Sequence, residues 1–161
     1  MPISEEHIEG FRQALDSVAR ERRYLAVFEA PPPRDVQAFV LHNIQARIPQ
    51  FVALEERQVV GWCDVLPKPQ PGLRHTGVLG MGVVAAWRGR GIGSQLLRAA
   101  LHAARQREMT RIELTVRVDN ERARRLYERF GFTAEGRCRR YLLVDGQYED
   151  GYLMALLHGA E

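Results

Sequence analysis

A glycine-rich turn between an apolar strand and a helix is the feature that most constrains this chain. It lies in the run 81–94, which reads MGVVAAWRGRGIGS. Three glycines remove side chains where the backbone must turn sharply or lie close to a ligand: Gly89, Gly91 and Gly93. The helix that follows would present unpaired N–H groups and the positive end of its dipole to the turn. This arrangement predicts a phosphate or pyrophosphate site, beside which Arg88 and Arg90 add positive charge.

Length and composition predict a single globular domain. The chain has 161 residues, of which 45% are hydrophobic and 27% are charged, so it can bury a sizeable core. The N-terminus has no basic region followed by an apolar one, and no apolar run approaches a membrane span. Cys63 and Cys138 lack metal-ligand spacing and are too few for a disulfide framework, so no metal is expected. We therefore expect a cytoplasmic protein that does not associate with membranes.

Positive charge is concentrated around the glycine turn. Of the 23 basic residues, 14 lie between Arg88 and Arg140, together with six acidic ones, which leaves an excess of eight positive charges. This excess suits an anionic ligand, and taken alone it would also suit nucleic acid. Because no recognition helix or aromatic stacking motif accompanies the arginines, nucleic-acid binding is not expected.

Apolar periodicity predicts a mixed order of helices and strands. Helices are expected after Ser4, from about Arg34, after the glycine turn, and from Asn120 to Gly131. Extended segments are expected at 23–28, 50–54, 59–66, 75–84, 111–118, 132–144 and 147–157. The last two would form a hairpin across Asp145 and Gly146.

Two familiar phosphate-binding turns fit poorly. A P-loop requires a lysine and a hydroxyl residue after its last glycine, but Gly93 is followed by Ser94 and Gln95. A dinucleotide fold requires G-x-G-x-x-G and an acidic residue about twenty positions later, at the end of a strand. Ser94 stands at the third glycine position, and Glu113 lies near the start of its predicted strand.

The third alternative is coenzyme A. Residues 88–93 have the form R-x-x-G-x-G, and the segment 120–132 (NERARRLYERFGF) follows about thirty residues later. In this order and separation the two segments resemble the acetyl-CoA site of the GNAT superfamily of N-acetyltransferases. The family pattern is R/Q-x-x-G-x-G/A followed by N-x-x-A-x-x-L/F-Y-x-x-x-G-F. The resemblance covers Thr76 to about Leu157 well, and it weakens before Thr76.

The resemblance implies an α/β (α+β) fold. Its mixed, mostly antiparallel sheet of about six to seven strands would be flanked by helices, with a splayed strand pair holding the coenzyme. The single domain, 1–161, would comprise an acceptor-side half (about 1–75), an acetyl-CoA-binding core (about 76–132) and a C-terminal hairpin (about 132–157). Family members usually have a strand ahead of the first helix, whereas only three residues precede Ser4. Either that strand is nearly absent or the natural chain starts earlier.

The resemblance also implies the residues that bind acetyl-CoA. The pantetheine arm would lie on the backbone of Met81, Gly82, Val83 and Val84, with Gly82 permitting the bulge that splaying needs. The pyrophosphate would lie on the amides of Arg88, Gly89, Arg90, Gly91, Ile92, Gly93 and Ser94. Asn120 matches the asparagine that contacts the pantetheine arm, although it would also serve as a plain helix N-cap.

Tyr127 matches the family tyrosine that lies near the coenzyme sulfur and protonates the departing thiolate. A phenol with an ordinary pKa of about 10 is protonated at neutral pH and can serve as an acid. Packing in the core between Leu126 and Phe130 is the alternative role for this side chain. A non-catalytic coenzyme A-binding module would have no need of Tyr127, so the tyrosine favours an enzyme.

The implied reaction is direct attack of a primary amine on the acetyl thioester in a ternary complex. A strand amide near 81–83 would stabilise the carbonyl oxygen. Amines are largely protonated at neutral pH, so a base is required. The segment 75–84 lacks the carboxylate that some family members carry there. We therefore expect a water chain to Glu113, Glu29 or Asp64, with Glu113 as the first choice.

The acceptor is expected to be a small molecule such as an amino acid, an amine metabolite or an antibiotic. Phe28, Glu29 and Trp62 are expected to bind it, and Phe39, Phe51 and Tyr141 are further candidates for the acceptor pocket. A protein N-terminus or a lysine side chain is the alternative acceptor. A homodimer is also considered, with the apolar segment 152–157 as its interface.

Overall fold

A six-stranded sheet forms the centre of the computed structural model, which describes residues 1–159. Its strands are β1 (Gln50–Glu55), β2 (Gln58–Pro67), β3 (Thr76–Val83), β4 (Arg111–Arg117), β5 (Thr133–Val144) and β6 (Gln147–Leu157). They lie in the order β1-β2-β3-β4-β6-β5. Among these strands β3 and β4 form a parallel pair, and the other neighbours are antiparallel. The expected mixed, mostly antiparallel sheet is confirmed.

Four helices cover the two faces of the sheet. They are α1 (Ile8–Arg20), α2 (Pro33–Gln45), α3 (Ile92–Gln106) and α4 (Glu121–Arg129). The first two pack on what we call the α1 face, around a core that contains Phe11, Val40 and Trp62. The other two pack on the α3 face, around Leu97 and Ile112. No helix within 1–159 is long and apolar enough to cross a membrane.

The strand expected ahead of the first helix is present as a short pairing beside β1. The Ile3 amide donates to the Gln50 carbonyl at 2.9 Å, and the Val52 amide donates to the Met1 carbonyl at 2.9 Å. Pro2 lies opposite Phe51 in an isolated antiparallel bridge. Three residues therefore cover part of the β1 edge.

The extended segment predicted at 23–28 is wrong, because this part of the chain is an irregular loop. Arg22 adopts a left-handed φ of 55°, which turns the chain away from α1. Tyr24 and Leu25 are consecutive, yet both pack against the α1-face core. Strand side chains alternate between faces and could not do this.

The segment 152–157, predicted as a homodimer interface, lies inside the sheet and not at an edge. It belongs to β6, which is paired with β4 on one side and β5 on the other. Met154 and Ala155 are buried in the core, whereas Leu157 is 68% exposed. The free edge at this end of the sheet belongs to β5 instead.

Candidate active site

The site is built around a fork between β3 and β4. The two strands pair only over Thr76–Val78 and Arg111–Glu113, after which both continue without pairing to each other. The Thr76 carbonyl of β3 and the amide of Val84, one residue after β3, form hydrogen bonds on the side of β2. The carbonyl of His75, one residue before β3, forms its hydrogen bonds on the side of β4. Because pairing directions alternate along a strand, Leu79, Met81 and Val83 turn their N–H and C=O groups into the fork. The splayed strand pair is confirmed.

A cavity of about 1070 Å³ runs through this fork from one face of the sheet to the other. Its floor consists of residues 79–83 of β3 and 114–116 of β4. On the α3 face it is lined by the glycine turn, the start of α3 and one side of α4. On the α1 face it is lined by Val18, the loop 23–26 and Tyr141. Two ligands could therefore approach the fork from opposite faces.

The glycine turn at the open end of the fork presents free amides to the cavity. Gly89 and Gly91 both have a φ of 80°, a conformation that favours glycine. The Gln95 amide donates to the Gly91 carbonyl at 3.1 Å, as expected for the fourth amide of α3. The amides of Ile92, Gly93 and Ser94 precede it and have no intrahelical acceptor. A Cβ on Gly91 would meet nothing within 4 Å, so open space lies in front of this turn.

The two arginines of the turn do not supply the positive charge predicted for them. The Arg88 guanidinium faces the α1 face, where it donates to Glu21 at 2.8 Å and to the Val83 carbonyl at 2.9 Å. It also lies 4.7 Å from the Tyr24 ring centroid. The Arg90 guanidinium stacks on Trp87 at 4.6 Å and is not part of the cavity lining. Arg88 instead joins the turn to the end of α1.

Three arginines that the sequence reasoning missed line the cavity from α4: Arg122, Arg125 and Arg129. One nitrogen of the Arg122 guanidinium would lie 3.0 Å from a Cβ placed on Gly89, so this side chain lies across the turn. Their spacing of i, i+3 and i+7 places them on one side of a helix. That spacing was visible in the sequence and could have identified them.

Tyr127 is fixed by the way α4 ends. The Gly131 amide donates to the Glu128 carbonyl at 3.0 Å, and the Phe132 amide donates to the Tyr127 carbonyl at 3.1 Å. These two bonds form a Schellman motif, which Gly131 completes with a φ of 97°. The hydrophobic contact that accompanies the motif is between the Tyr127 and Phe132 rings, whose centroids are 5.7 Å apart. The sequence Y-E-R-F-G-F therefore fixes the tyrosine directly.

The Tyr127 phenol is buried where it borders the cavity. Its residue is 8% exposed and lines the cavity opposite the glycine turn. Burial, and secondarily the nearby Cys63 thiol, raises the pKa of Tyr127 well above its usual value. The phenol therefore stays protonated at neutral pH and can donate a proton.

Asn120 is a helix N-cap, one of the two roles considered for it, and it also lines the cavity. Its Oδ1 accepts from the Ala123 amide at 3.2 Å, so it is the N-cap of α4. The residue borders the cavity at the same end as the glycine turn. Its side-chain amide nitrogen remains available to a ligand.

The four strand residues expected to bind the pantetheine arm differ in what their backbone can offer. Met81 and Val83 face the fork, although the Val83 carbonyl already accepts from Arg88. The Val84 amide already donates a hydrogen bond to the Val60 carbonyl at 2.8 Å. The bulge predicted at Gly82 is wrong, because β2 and β3 pair in regular register through this position. Glycine is required there because a Cβ would clash with the Trp62 indole.

The residues expected to bind the acceptor lie elsewhere. Trp62 is 3% exposed and packs in the core, with its ring 5.9 Å from that of Phe11. Phe28 lies under the Arg22 guanidinium at 3.9 Å, and Glu29 is an exposed residue 3.6 Å from Arg20. None of the three lines the cavity of the described chain.

Tyr141 reaches the cavity because β5 is irregular. The pairing of β5 with β6 shifts between Cys138 and Leu142. Within this irregularity Arg140 has a φ of 56°, and its amide donates to Asp150 at 2.9 Å. Bulges of this kind re-aim side chains. Local sequence periodicity gave no sign of it.

Glu113 is a poor candidate for the general base. It lies at the closed end of the fork, where β3 and β4 still pair, and it is outside the cavity lining. Its carboxylate forms ion pairs with Lys68 and with Arg111, the latter at 2.9 Å. Hydrogen bonds from both cations lower the pKa of Glu113. The structure makes it part of an ion-pair network that also includes Glu135.

The fold and the forked site define an acetyltransferase. The family model described as "Acetyltransferase (GNAT) family" matches residues 13–132, and the chain belongs to this family. It is an N-acetyltransferase, and acetyl-CoA is its co-substrate. The resemblance drawn from residues 88–93 and 120–132 is thereby confirmed.

Individual relatives agree with this membership. The chain is 33% identical over 144 residues to the L-amino acid N-acetyltransferase AaaT of Escherichia coli (strain K12). The aligned region covers 85% of each of the two chains. The fold is similar to that of yncA from Salmonella typhimurium, solved with its cofactor acetyl-CoA, with a TM-score of 0.92 at 18% identity, covering 99% and 95% of the two chains. It is also similar to a ribosomal-protein-alanine N-acetyltransferase from Brucella melitensis, with a TM-score of 0.92 at 21% identity, covering 98% of each.

Proposed function

We propose that this enzyme transfers the acetyl group of acetyl-CoA to the amine of a small molecule, with an L-amino acid as the first choice. The two substrates meet at the fork in a ternary complex, and the amine attacks the thioester directly. The observation that carries this proposal is the cavity that passes through the fork and has lining on both faces of the sheet. Holding two reactants in one such passage lowers the entropic part of the barrier.

Acetyl-CoA approaches from the α3 face. Its pyrophosphate binds the free amides of Ile92, Gly93 and Ser94, where the dipole of α3 favours negative charge. The arginines on α4 face this turn across the cavity and add charge-assisted contacts. The pantetheine arm then lies along β3, whose Met81 backbone is free to pair with its amides. Asn120 borders the same passage.

Tyr127 acts as the acid when the thioester breaks. The attacking nitrogen forms a bond to the acetyl carbon, the carbon–sulfur bond breaks, and the thiolate takes a proton from the phenol. The raised pKa of Tyr127 makes the phenol a weaker acid and its phenolate a stronger base, so the phenolate regains a proton from the newly acylated nitrogen as the thiolate is protonated. Backbone amides of β3 in the fork stabilise the charge that develops on the carbonyl oxygen.

The acceptor approaches from the α1 face. Arg23 lines this part of the cavity and forms no ion pair within residues 1–159. Its guanidinium suits the carboxylate of an amino acid. Tyr24, Leu25 and Tyr141 provide the apolar surface around it. The relative named for L-amino acids, which shares most of its length with this chain, supports the same acceptor class.

A cytoplasmic location follows from the same proposal. Both cysteines within the described residues, Cys63 and Cys138, are free thiols. Free thiols are typical of a reducing compartment. Acetyl-CoA and free amino acids are also cytoplasmic metabolites.

Release of free thiol from acetyl-CoA tests the proposed function. The purified protein is assayed with L-amino acids, with the matching amines that lack the carboxylate, and with short peptides that have free N-termini. We expect turnover with one or more L-amino acids and a raised KM for the decarboxylated amines. Thiol release with peptides alone would instead assign a protein N-terminus as the acceptor, the activity for which one structural neighbour is named. Binding of acetyl-CoA without turnover on any amine would contradict the proposal.

A further inference from the structure

Strand β2 supplies the side chains that β3 lacks on the α1 face. Asp64 lies directly opposite Gly80, and Trp62 lies directly opposite Gly82. Directly opposite residues in an antiparallel pair project from the same face, so both side chains lie over a glycine. A Cβ on Gly80 would lie 3.3 Å from the Asp64 Oδ1. The carboxyl group therefore lies in close contact with the position that a Gly80 side chain would take.

Asp64 is buried without any partner that would offset its burial. The residue is 7% exposed. Within residues 1–159 it forms no ion pair and no side-chain hydrogen bond. Buried carboxyl groups usually have such partners, because desolvation is costly. An unpartnered one next to a cavity is a candidate for a functional role.

The surroundings of Asp64 carry almost no charge. Gln50 lies opposite it on β1, and the Gln50 Nε2 is buried with no hydrogen-bond partner among the described residues. Gly80 lies opposite it on β3. The buried residues of α1 and α2 on this face are Phe11, Ala14, Val18, Ala19, Val36, Val40 and Asn43. Burial, and secondarily the Asp64 carboxyl, raises the pKa of Cys63, which follows Trp62 in β2.

Asp64 itself does not line the cavity, but unlike Glu113 it is separated from the cavity only by Gly80, which lies directly opposite it. Gly80 lines the cavity, one residue before Met81 in the floor of the fork. Because glycine has no side chain, it leaves the space between Asp64 and the passage open. The acceptor amine of the proposed reaction approaches on this same face. A carboxylate is thus present on the acceptor side of β3, contributed by the neighbouring strand.

We propose that Asp64 is the general base of this enzyme and takes the proton of the acceptor ammonium, directly or through one water, across Gly80. This inference rests on the proposed acetyl transfer. The ammonium N–H bond breaks and its proton passes to Asp64, which leaves the amine lone pair free to attack. The second proton lost by the nitrogen replaces the one that Tyr127 gives to the thiolate. Asp64 then releases its proton to solvent.

Burial alone raises the pKa of Asp64 to about 7. A base with such a pKa is half ionised at neutral pH, where it is matched to its task. This value also indicates how the role can be tested, because an amine that is already neutral no longer needs the base.

The experiment compares Asp64→Asn with the wild type in the thiol-release assay between pH 7 and pH 9.5. Asn has the same shape and stands in for the protonated carboxyl. We expect kcat at pH 7 to fall on the order of 100-fold, and the deficit to shrink to below about 10-fold at pH 9.5. The Kd for acetyl-CoA, measured by calorimetry, should stay unchanged. Asp35→Asn is the matched control, because Asp35 is exposed in the first turn of α2.

Other outcomes separate the base from the acetyl transfer itself. If the wild type is active and Asp64→Asn is equally active, Asp64 is not the base. The same conclusion follows if the kcat of Asp64→Asn is reduced by the same factor at every pH. No amine-dependent turnover by the wild type would instead overturn the proposed function. Asp64→Ser is a second variant, smaller than Asn, and it must show the same dependence on pH.

Discussion

The cofactor side and the acceptor side of the fork are built in different ways. On the proposed cofactor side, the groups that line the cavity are backbone amides of Ile92–Ser94 and a tyrosine fixed by a local helix end. On the proposed acceptor side, residues from α1, β5 and the loop 23–26 line the cavity, and Asp64 of β2 lies behind Gly80. A site made of local backbone leaves a contiguous sequence motif. A site made of side chains that meet across strands leaves none.

The two sides also differ in how they affect stability. The glycine turn places glycine where φ is positive, so its conformation adds little strain. The acceptor side instead buries Asp64 without a partner, which destabilises the fold whenever the carboxyl is ionised. The acceptor side is therefore the region where a substitution could gain stability and lose activity.

The largest effect expected concerns the stability of Asp64→Asn. The pKa of Asp64 rises from 3.8 in the unfolded chain to about 7 in the folded one. Between these values the folded state binds more protons, so wild-type stability falls as pH rises from 4 to 7 and is then constant. Asn removes this loss, so the variant should be more stable by about 2 kcal/mol at pH 5 and about 4 kcal/mol at pH 8.

Urea unfolding at the two pH values measures this difference. Asp35→Asn should show the same small change at both values, because its carboxyl is exposed. If the difference in stability between Asp64→Asn and the wild type does not depend on pH, burial does not raise the pKa of Asp64. The two sides of the fork would then not differ in how they affect stability.

The second effect is on the cofactor side. Gly91→Val places a β-branched residue at a φ of 80° in front of the free amides of α3. The side chain would fill the open space before the turn and keep a phosphate from the amides. We expect the Kd for acetyl-CoA to rise on the order of 100-fold, because two or more charge-assisted hydrogen bonds are lost. Calorimetric titration measures it.

Gly72→Val is the matched control for this prediction. A Cβ on Gly72 also meets nothing within 4 Å, and this glycine lies in a surface turn before the closed end of the fork, outside the cavity lining. The acetyl-CoA affinity of this variant should equal that of the wild type. Equal losses in the two variants would mean that Gly91 is not part of the anion site.

The third effect separates chemistry from binding at the junction of the two sides. Tyr127→Phe keeps the ring that packs on Phe132 and removes the phenolic proton. We expect kcat to fall by about 10- to 100-fold with the Kd for acetyl-CoA unchanged. Steady-state kinetics together with titration give both values. Tyr148→Phe, at a tyrosine that is 57% exposed, should retain full activity; full activity of Tyr127→Phe would contradict the role of the acid.

The smallest effect concerns the link between the two sides. Glu21→Gln weakens the contact through which Arg88 joins the glycine turn to the end of α1. The pair is partly exposed, so we expect less than about 1 kcal/mol, seen as a KM for the amine raised a few-fold. The Kd for acetyl-CoA should not change. A change confined to acetyl-CoA binding would show that Arg88 serves the phosphate after all.

Sequence reasoning succeeded where the structure is local. The glycine turn, the N-cap Asn120 and the helix end that holds Tyr127 each depend on contacts within a few residues. The splayed pair of β3 and β4 came from the family resemblance, since no local pattern reports where two strands cease to pair.

Features that depend on strand register were not predictable in the same way. Trp62 was expected at the acceptor, but its position opposite Gly82 places it in the core. Arg88 was expected at the phosphate, but Glu21 draws it to the other face through a contact 67 residues apart. Tyr141 was a candidate for the acceptor pocket and does line the cavity, but the irregular pairing of β5 that places it there was not predicted from the sequence.

We propose that donor and acceptor occupy opposite faces of the β3–β4 fork. Amide hydrogen exchange of the wild-type protein, resolved by segment, measures which face acetyl-CoA protects. With acetyl-CoA alone, we predict slower exchange in 79–83 of β3 and in 92–94 of α3, and an unchanged rate in the loop 23–26. Slowing confined to 23–26, or no slowing at the fork and the turn, would contradict the claim.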